Sequence, residues 1–192
     1  MKTWILSMTR LWGRLFGAGN VSTPLTMITE TVKPTLKVLN PVSNSFVPSV
    51  DFDKKIVTLK RPFPNEIKIS SPMGERVING AREFHFGYDF KTPVGTEVTA
   101  CVDGSVFRIG QQDEFSLKVG FGLRVWQEAE IGGKRFYVFY AHLSEILVGQ
   151  GEDIKFGQVI ALTGNTGRTT GPHCHIECRL KNTSERYWIN FV

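Results

Sequence analysis

From Glu66 onward, apolar and polar residues alternate over short runs separated by glycine and other turn residues, the pattern of β-strands with tight connections. Val98–Val102 and Ser105–Ile109 flank Asp103-Gly104, which predicts a two-residue hairpin. Leu123–Ile131 and Lys134–Tyr140 flank Gly132-Gly133, which predicts a second. Further strands are expected at Val159–Thr163 and His175–Leu180, joined through the polar loop 164–171. No stretch after Glu66 has the length and period of a helix, so residues 66–192 read as a mostly β, antiparallel domain.

The first 65 residues have another texture. Trp4, Ile5, Met8, Leu11, Trp12, Leu15 and Phe16 recur at helical spacing, with Lys2, Ser7, Arg10 and Arg14 falling largely elsewhere, so residues 1–16 predict an amphipathic helix. Arg10 and Arg14 interrupt its apolar run, which is too short and broken for a secretory signal or a membrane span. Three placements remain open for it: on a membrane surface, on a partner protein, or on its own domain. Residues 17–65 carry six of the nine prolines among Ser, Thr and Asn and read as an extended linker, with 55–60 able to form one short strand within it.

Charge separates the two parts further. Residues 1–65 hold nine Lys/Arg against three Asp/Glu, whereas 66–192 are close to neutral. The basic balance thus belongs to the arm, which suits an anionic surface such as lipid headgroups and argues against a nucleic-acid partner for the domain. The three cysteines, Cys101, Cys174 and Cys178, give no disulfide framework. Cys174 and Cys178 would stand roughly 13 Å apart on one strand, too far to bridge. Both would face away from His173 and His175, as small core residues, which also disfavours Cys178 as a metal ligand.

The candidate chemistry lies in Gly171-Pro-His173-Cys-His175-Ile-Glu177. On a strand His173 and His175 share a face, which fits either two hydrogen-bonded histidines at a strand end or a metal ligand with a catalytic neighbour. The other two histidines are His85 and His142. His85 precedes Asp89 by four residues, roughly 13 Å along a straight strand, and Gly87 between them would allow the bend that brings both to one point. Two imidazoles and a carboxylate form an ordinary zinc-ligand set that leaves a fourth position for water. His142 closes the predicted strand 136–141, where a strand end meets a cleft.

Taken in order, several short runs resemble the lysostaphin-like (LytM-type) zinc metallopeptidases that cut peptidoglycan cross-links. They are Ser71-Pro-Met-Gly-Glu-Arg76, His85-Phe-Gly-Tyr-Asp89-Phe, Pro93-Val-Gly-Thr-Glu-Val98, Asp103-Gly104, Tyr140-Ala-His142-Leu-Ser144, Gly157-Gln-Val-Ile160 and Gly164-Asn-Thr-Gly-Arg-Thr-Thr-Gly-Pro-His173-Cys-His175-Ile-Glu177. The resemblance covers about residues 66–192 and leaves 1–65 unexplained. It implies the duplicated-hybrid-motif type of antiparallel sheet, one zinc per chain held by His85, Asp89 and His175, and His142 with His173 as the catalytic pair. Departures from the family pattern are Cys174 in place of leucine, Leu123 in place of asparagine, and the ending Tyr187-Trp-Ile-Asn-Phe-Val192. None touches the metal set.

The function expected from this resemblance is hydrolysis of peptidoglycan cross-links, against the alternatives of a non-catalytic activator and a structural component of an assembly. With no signal peptide expected, the source that fits is a phage-encoded enzyme, carried in the virion or released to the cell envelope. A membrane-associated bacterial enzyme of the inner membrane or periplasm is the alternative. Residues 1–65 would supply contact with a membrane surface or a virion protein.

Overall fold

The computed structural model describes residues 46–111, 116 and 118–192, and all regular structure in these residues is β. The predicted N-terminal helix and most of the predicted linker lie outside the described residues. The strands, in chain order, are β1 (Ser49–Asp51), β2 (Ile56–Leu59), β3 (Ile69–Ser71), β4 (Gly74–Ile78), β5 (Ala81–His85), β6 (Tyr88–Lys91) and β7 (Glu97–Thr99). They continue with β8 (Gly104–Gln111), β9 (Leu123–Ile131), β10 (Lys134–Ile146), β11 (Asp153–Ile154), β12 (Val159–Thr163), β13 (His173–Leu180) and β14 (Arg186–Phe191). Twelve of them form one sheet whose main path runs β1-β2-β14-β13-β10-β9-β8-β11, and β4 with β5 makes a separate hairpin. Among the described residues no helix is long and apolar enough to cross a membrane.

The expected hairpin at Gly132-Gly133 joins β9 to β10. Both glycines have positive φ, 58° and 73°, which a two-residue turn matching the strand twist demands. β10 is the central strand, paired with β9 on one edge and with β13 and then β12 on the other. One face of this layer closes the core through Val125, Phe136, Val138, Tyr140, Cys174, Ile176 and Cys178. Tyr140 is polar only at its tip, where its hydroxyl donates to Gln127 Oε1 (2.8 Å) and accepts from the Cys101 amide (2.9 Å), so its burial leaves no phenol unsatisfied. Burial pushes the Cys101 thiol up to about 12 and raises Cys174 and Cys178 as well, so all three remain neutral thiols, and Cys174 and Cys178 are the core residues the sequence predicted.

Three expectations need correction. Asp103-Gly104 is not a hairpin turn, because β7 pairs with β12 and β8 pairs with β9 and β11. Gly104 serves close approach instead: a Cβ there would fall 2.1 Å from the Glu128 carbonyl. Asp103 caps the turn that follows β11 by accepting from the Phe156 amide (2.9 Å). Second, the linker does not extend to residue 65. β2 pairs with β14, in parallel, and buries Val57 and Leu59 completely, with Phe63 following into the core. The short strand expected at 55–60 is β2, and the proline-rich surroundings hid that it joins the main sheet between β1 and β14. Third, β10 does not end before His142 but continues to Ile146 through an irregularity.

Candidate functional site

The site is built where β5, β6, β10 and β13 meet. In the register of the sheet His175 on β13 stands opposite Asp89 on β6 and opposite Ala141 on β10. Directly opposed residues share a face, so His175 and Asp89 are placed together by pairing alone. The chain between β5 and β6 turns at Phe86-Gly87, which returns His85 to the same point. Gly87 is required by space: a Cβ would lie 2.5 Å from the Ile176 carbonyl and 2.6 Å from the His175 ring.

Three donor atoms converge as a result. His85 Nε2 lies 3.1 Å from Asp89 Oδ1, His175 Nδ1 lies 2.9 Å from the same oxygen, and the two nitrogens are 3.1 Å apart. Ligands at about 2.0–2.1 Å on a tetrahedral ion stand about 3.3 Å from one another, so these residues fit a small divalent cation with little movement. His85, Asp89 and His175 are all buried and form the candidate metal cluster of the described residues.

Each donor is held from behind. His85 Nδ1 donates to the Pro72 carbonyl (2.9 Å), which leaves Nε2 with its lone pair toward the cluster. Asp89 gives its other oxygen, Oδ2, to Arg76 Nη1 at 3.0 Å. Behind His175, Nε2 points to Glu177 Oε2 at 3.9 Å, too long for a hydrogen bond, so Glu177 acts there by charge. Glu177 is itself buried and paired with Arg179 and Arg186. Burial alone would raise the Asp89 carboxyl, yet its contacts with the His175 and His85 side chains hold it well below the usual range. Burial likewise disfavours charge on His175, but the Asp89 and Glu177 carboxylates raise it. Both directions describe a pocket organised around positive charge.

His142 and His173 complete the group, with ring centroids 4.6 Å apart. His173 Nδ1 donates to the Gly171 carbonyl (2.8 Å), and its Nε2 lies 3.7 Å from Asp89 Oδ1. His142 Nδ1 donates to the Thr166 carbonyl (2.7 Å). The backbone at His142 has a positive φ of 61°, at the irregularity between Tyr140 and Leu143 where β10 slips against β9. A left-handed residue within a bulge re-aims a side chain that a regular strand would send elsewhere. Burial, and the neighbouring His173, push His142 down to about 4, so it is neutral near pH 7.

The loops around this group interlock through glycine. A Cβ on Gly167 would fall 2.4 Å from the Gly120 carbonyl, and one on Gly122 would fall 2.4 Å from Thr166. Thr166 bridges the Leu123 amide and the Leu143 carbonyl, so the loop that holds His142 is tied to both strands beneath it. Phe121, from the same contact, packs over His175 at 5.4 Å between centroids. A depression of about 510 Å³ between Ser105, Glu130, Arg135 and Asp153 lies away from this group and holds none of the histidines.

Five residues singled out in the sequence (His85, Asp89, His142, His173 and His175) are therefore in one place, with a trio of converging ligand atoms and two further imidazoles beside it. The sequence profile of peptidase family M23 matches residues 83–186, which spans this whole constellation. The chain belongs to peptidase family M23. The DD-carboxypeptidase/endopeptidase Mpg of Neisseria meningitidis is 38% identical over 115 residues, 59% of this chain and 24% of that protein. The catalytic domain of lysostaphin from Staphylococcus simulans superposes with a TM-score of 0.52 at 30% identity, covering 62% of this chain and 85% of that one. A zinc-containing peptidase from Vibrio cholerae gives 0.54 at 32% identity, over 66% of this chain and 37% of that one. The chain spans about a quarter of the length of the curated relatives it matches.

Within this M23 domain several supporting residues escaped the sequence reading. Arg76, Thr166 and Glu177 stand inside the motif runs, and Phe121 lies outside those runs. A buried acid two residues after a strand histidine, on the same face, was the available sign for Glu177. Arg76 had none, since its partner Asp89 is reached only through the β4–β5 hairpin.

Proposed function

We propose that this M23 domain is a zinc endopeptidase that hydrolyses peptide cross-links of bacterial peptidoglycan. The observation that carries the proposal is the convergence of His85 Nε2, Asp89 Oδ1 and His175 Nδ1 within 3.1 Å of one another, with His142 and His173 alongside. Imidazole, carboxylate and imidazole are borderline-hard donors suited to one zinc per chain, and the thiols, being buried and neutral, take no part. When bound, zinc would supply Lewis-acid polarisation of the scissile carbonyl and lower the pKa of a water.

The chain's own residues have separable tasks. Arg76 keeps Asp89 Oδ2 occupied and so leaves Oδ1 for the cation. His142, held neutral and anchored by Thr166 through Nδ1, offers Nε2 to take the proton of the attacking water. His173, anchored by Gly171 through Nδ1, can donate from a protonated Nε2 to the developing oxyanion or to the departing amine. Attack at the carbonyl carbon, cleavage of its bond to nitrogen and protonation of the amine then complete the hydrolysis.

The test is digestion of purified peptidoglycan of several cross-link types by the metal-loaded full chain, with the new termini identified by mass spectrometry. Zinc-dependent appearance of new amino termini within cross-links is expected. Failure to release any with a full complement of metal would overturn the proposal.

We further propose that the segment ahead of Phe46 attaches the enzyme to an anionic membrane surface or to a virion protein, in a phage particle or at the cell envelope. Five Lys/Arg against one Asp/Glu among residues 1–45 support this reading. Binding of the full chain, and not of a chain starting at Phe46, to vesicles containing anionic lipid or to isolated particles would be the expected result.

A further inference from the structure

The sheet face that carries His175 continues away from the cluster into a group of cations and aromatic rings. The Phe139 ring lies 6.5 Å from that of His175. Around it stand the guanidinium groups of Arg124 on β9 and Arg179 on β13, at 6.0 and 5.7 Å from its centroid. Arg179 also lies over Trp126 at 5.2 Å, and Arg108 on β8 is the register partner of Trp126.

Among the described residues, the acids beside these cations are already engaged. Glu177 pairs with Arg179 and Arg186. Glu128 accepts from Lys181 at 2.7 Å and Arg135 at 2.9 Å. Among the described residues no carboxylate pairs with Arg124 or Arg108. Two further donors at this place, Arg179 Nε and Trp126 Nε1, are buried without an acceptor. Partial burial together with the charges of Arg108 and Arg179 disfavours the protonated form of Arg124. Arg179 has Glu177, but holding Arg124 and Arg108 beside it without a carboxylate of their own is unfavourable in the free protein, and an incoming anion would relieve it.

We propose that Arg124, with Arg108 and Arg179, forms a subsite for a carboxylate of the substrate, so that the enzyme selects acidic cross-links over neutral bridges. The proposal rests on the peptidase reading above and specifies its substrate class. The guanidinium groups lie one aromatic ring beyond His175, within reach of about three extended residues at ~3.3 Å each. Guanidinium binds carboxylate through two parallel hydrogen bonds, which an amide or a glycine bridge cannot reproduce.

The deciding experiment compares a synthetic cross-linked stem-peptide dimer carrying free carboxylates with the same dimer in which they are amidated. The zinc-loaded full chain should cleave the free acid with a kcat/KM at least about tenfold higher, equivalent to about 1.4 kcal/mol. Arg124→Gln should bring that ratio toward one, chiefly through KM, and Arg124→Lys should retain part of it. Arg108→Gln, at an exposed position, applies the same test if the Arg124 variant does not fold. Equal cleavage of the two dimers by the unaltered enzyme, or an undiminished ratio in both glutamine variants, would overturn the subsite alone. Cleavage of neither dimer would overturn the peptidase reading and the subsite with it.

Discussion

Arg76 Nη1 lies 3.0 Å from Oδ2 of Asp89, while Oδ1 of the same carboxylate faces His85 and His175. The arginine is fixed in turn by Glu83, whose Oε1 is 2.7 Å from Nη2, so hairpin β4–β5, which ends in the ligand His85, also holds Asp89 through one side chain. Splitting the two oxygens of Asp89 between a cation in the protein and the cluster orients the carboxylate for one-oxygen ligation. Arg76→Leu should therefore weaken zinc binding by about 10–100-fold with the ligands untouched. Competition with a chelator of known affinity measures this. Unchanged affinity would show that Asp89 is oriented by the sheet alone.

The two kinds of histidine should separate experimentally. His85→Ala, Asp89→Ala and His175→Ala each remove a converging donor and should lower metal content and activity together. His142→Ala and His173→Ala should keep zinc and lose turnover by on the order of 10²-fold or more. Metal analysis with steady-state rates on each variant decides the matter. Full zinc in His175→Ala, or loss of zinc in His142→Ala, would exchange the roles.

Gly87→Ala tests the packing that sets the cluster. The added methyl would fall 2.5 Å from the Ile176 carbonyl and 2.6 Å from the His175 ring, where one neighbour is backbone and the other a candidate ligand. The ring must yield, so the variant should bind zinc more weakly while keeping its β-rich circular dichroism. Overpacking of this kind costs about 1–3 kcal/mol, a loss readable as a lower melting temperature. A variant with native zinc affinity would mean that β5 and β6 can part without moving His175.

Much of the site was legible because its residues belong to short ordered runs. His173 and His175 share a face by strand alternation, and Gly87 permits the return of His85 to Asp89. The hairpin at Gly132-Gly133 was readable too, since two adjacent glycines with positive φ are what its turn requires. What was hidden depends on partners distant in sequence. Asp103-Gly104 has the composition of a turn, yet β7 is drawn to β12 and Gly104 to the backbone of β9. His142 looked like a strand end because nothing local announces a bulge. A short strand at 55–60 was readable, but the place of β2 in the sheet was hidden most fully, since its neighbour β14 lies at the other end of the chain.

That hidden strand gives the last prediction, which concerns where the folded unit begins. Val57 and Leu59 are fully buried and Phe63 nearly so, and β2 covers β14 in register from Trp188–Ile56 to Phe191–Leu59. Burying such side chains contributes about 1.5–3 kcal/mol each, a large share of the stability of a domain held by about 5–15 kcal/mol. β14 also supplies Arg186, which pairs with Glu177 behind His175, so loss of β2 would loosen the support of the cluster as well. A chain starting at Phe46 should fold cooperatively, bind zinc and cleave soluble cross-linked fragments about as well as the full chain. A chain starting at Glu66 should be unfolded or aggregate. Leu59→Ala in the full chain should lower stability by about 2–5 kcal/mol, measured by urea denaturation. A folded, zinc-binding protein starting at Glu66 would show that β1 and β2 are an addition to the domain and restore the shorter boundary. Inactivity of a folded, zinc-loaded protein starting at Phe46 would instead assign residues 1–45 a part in shaping the active site.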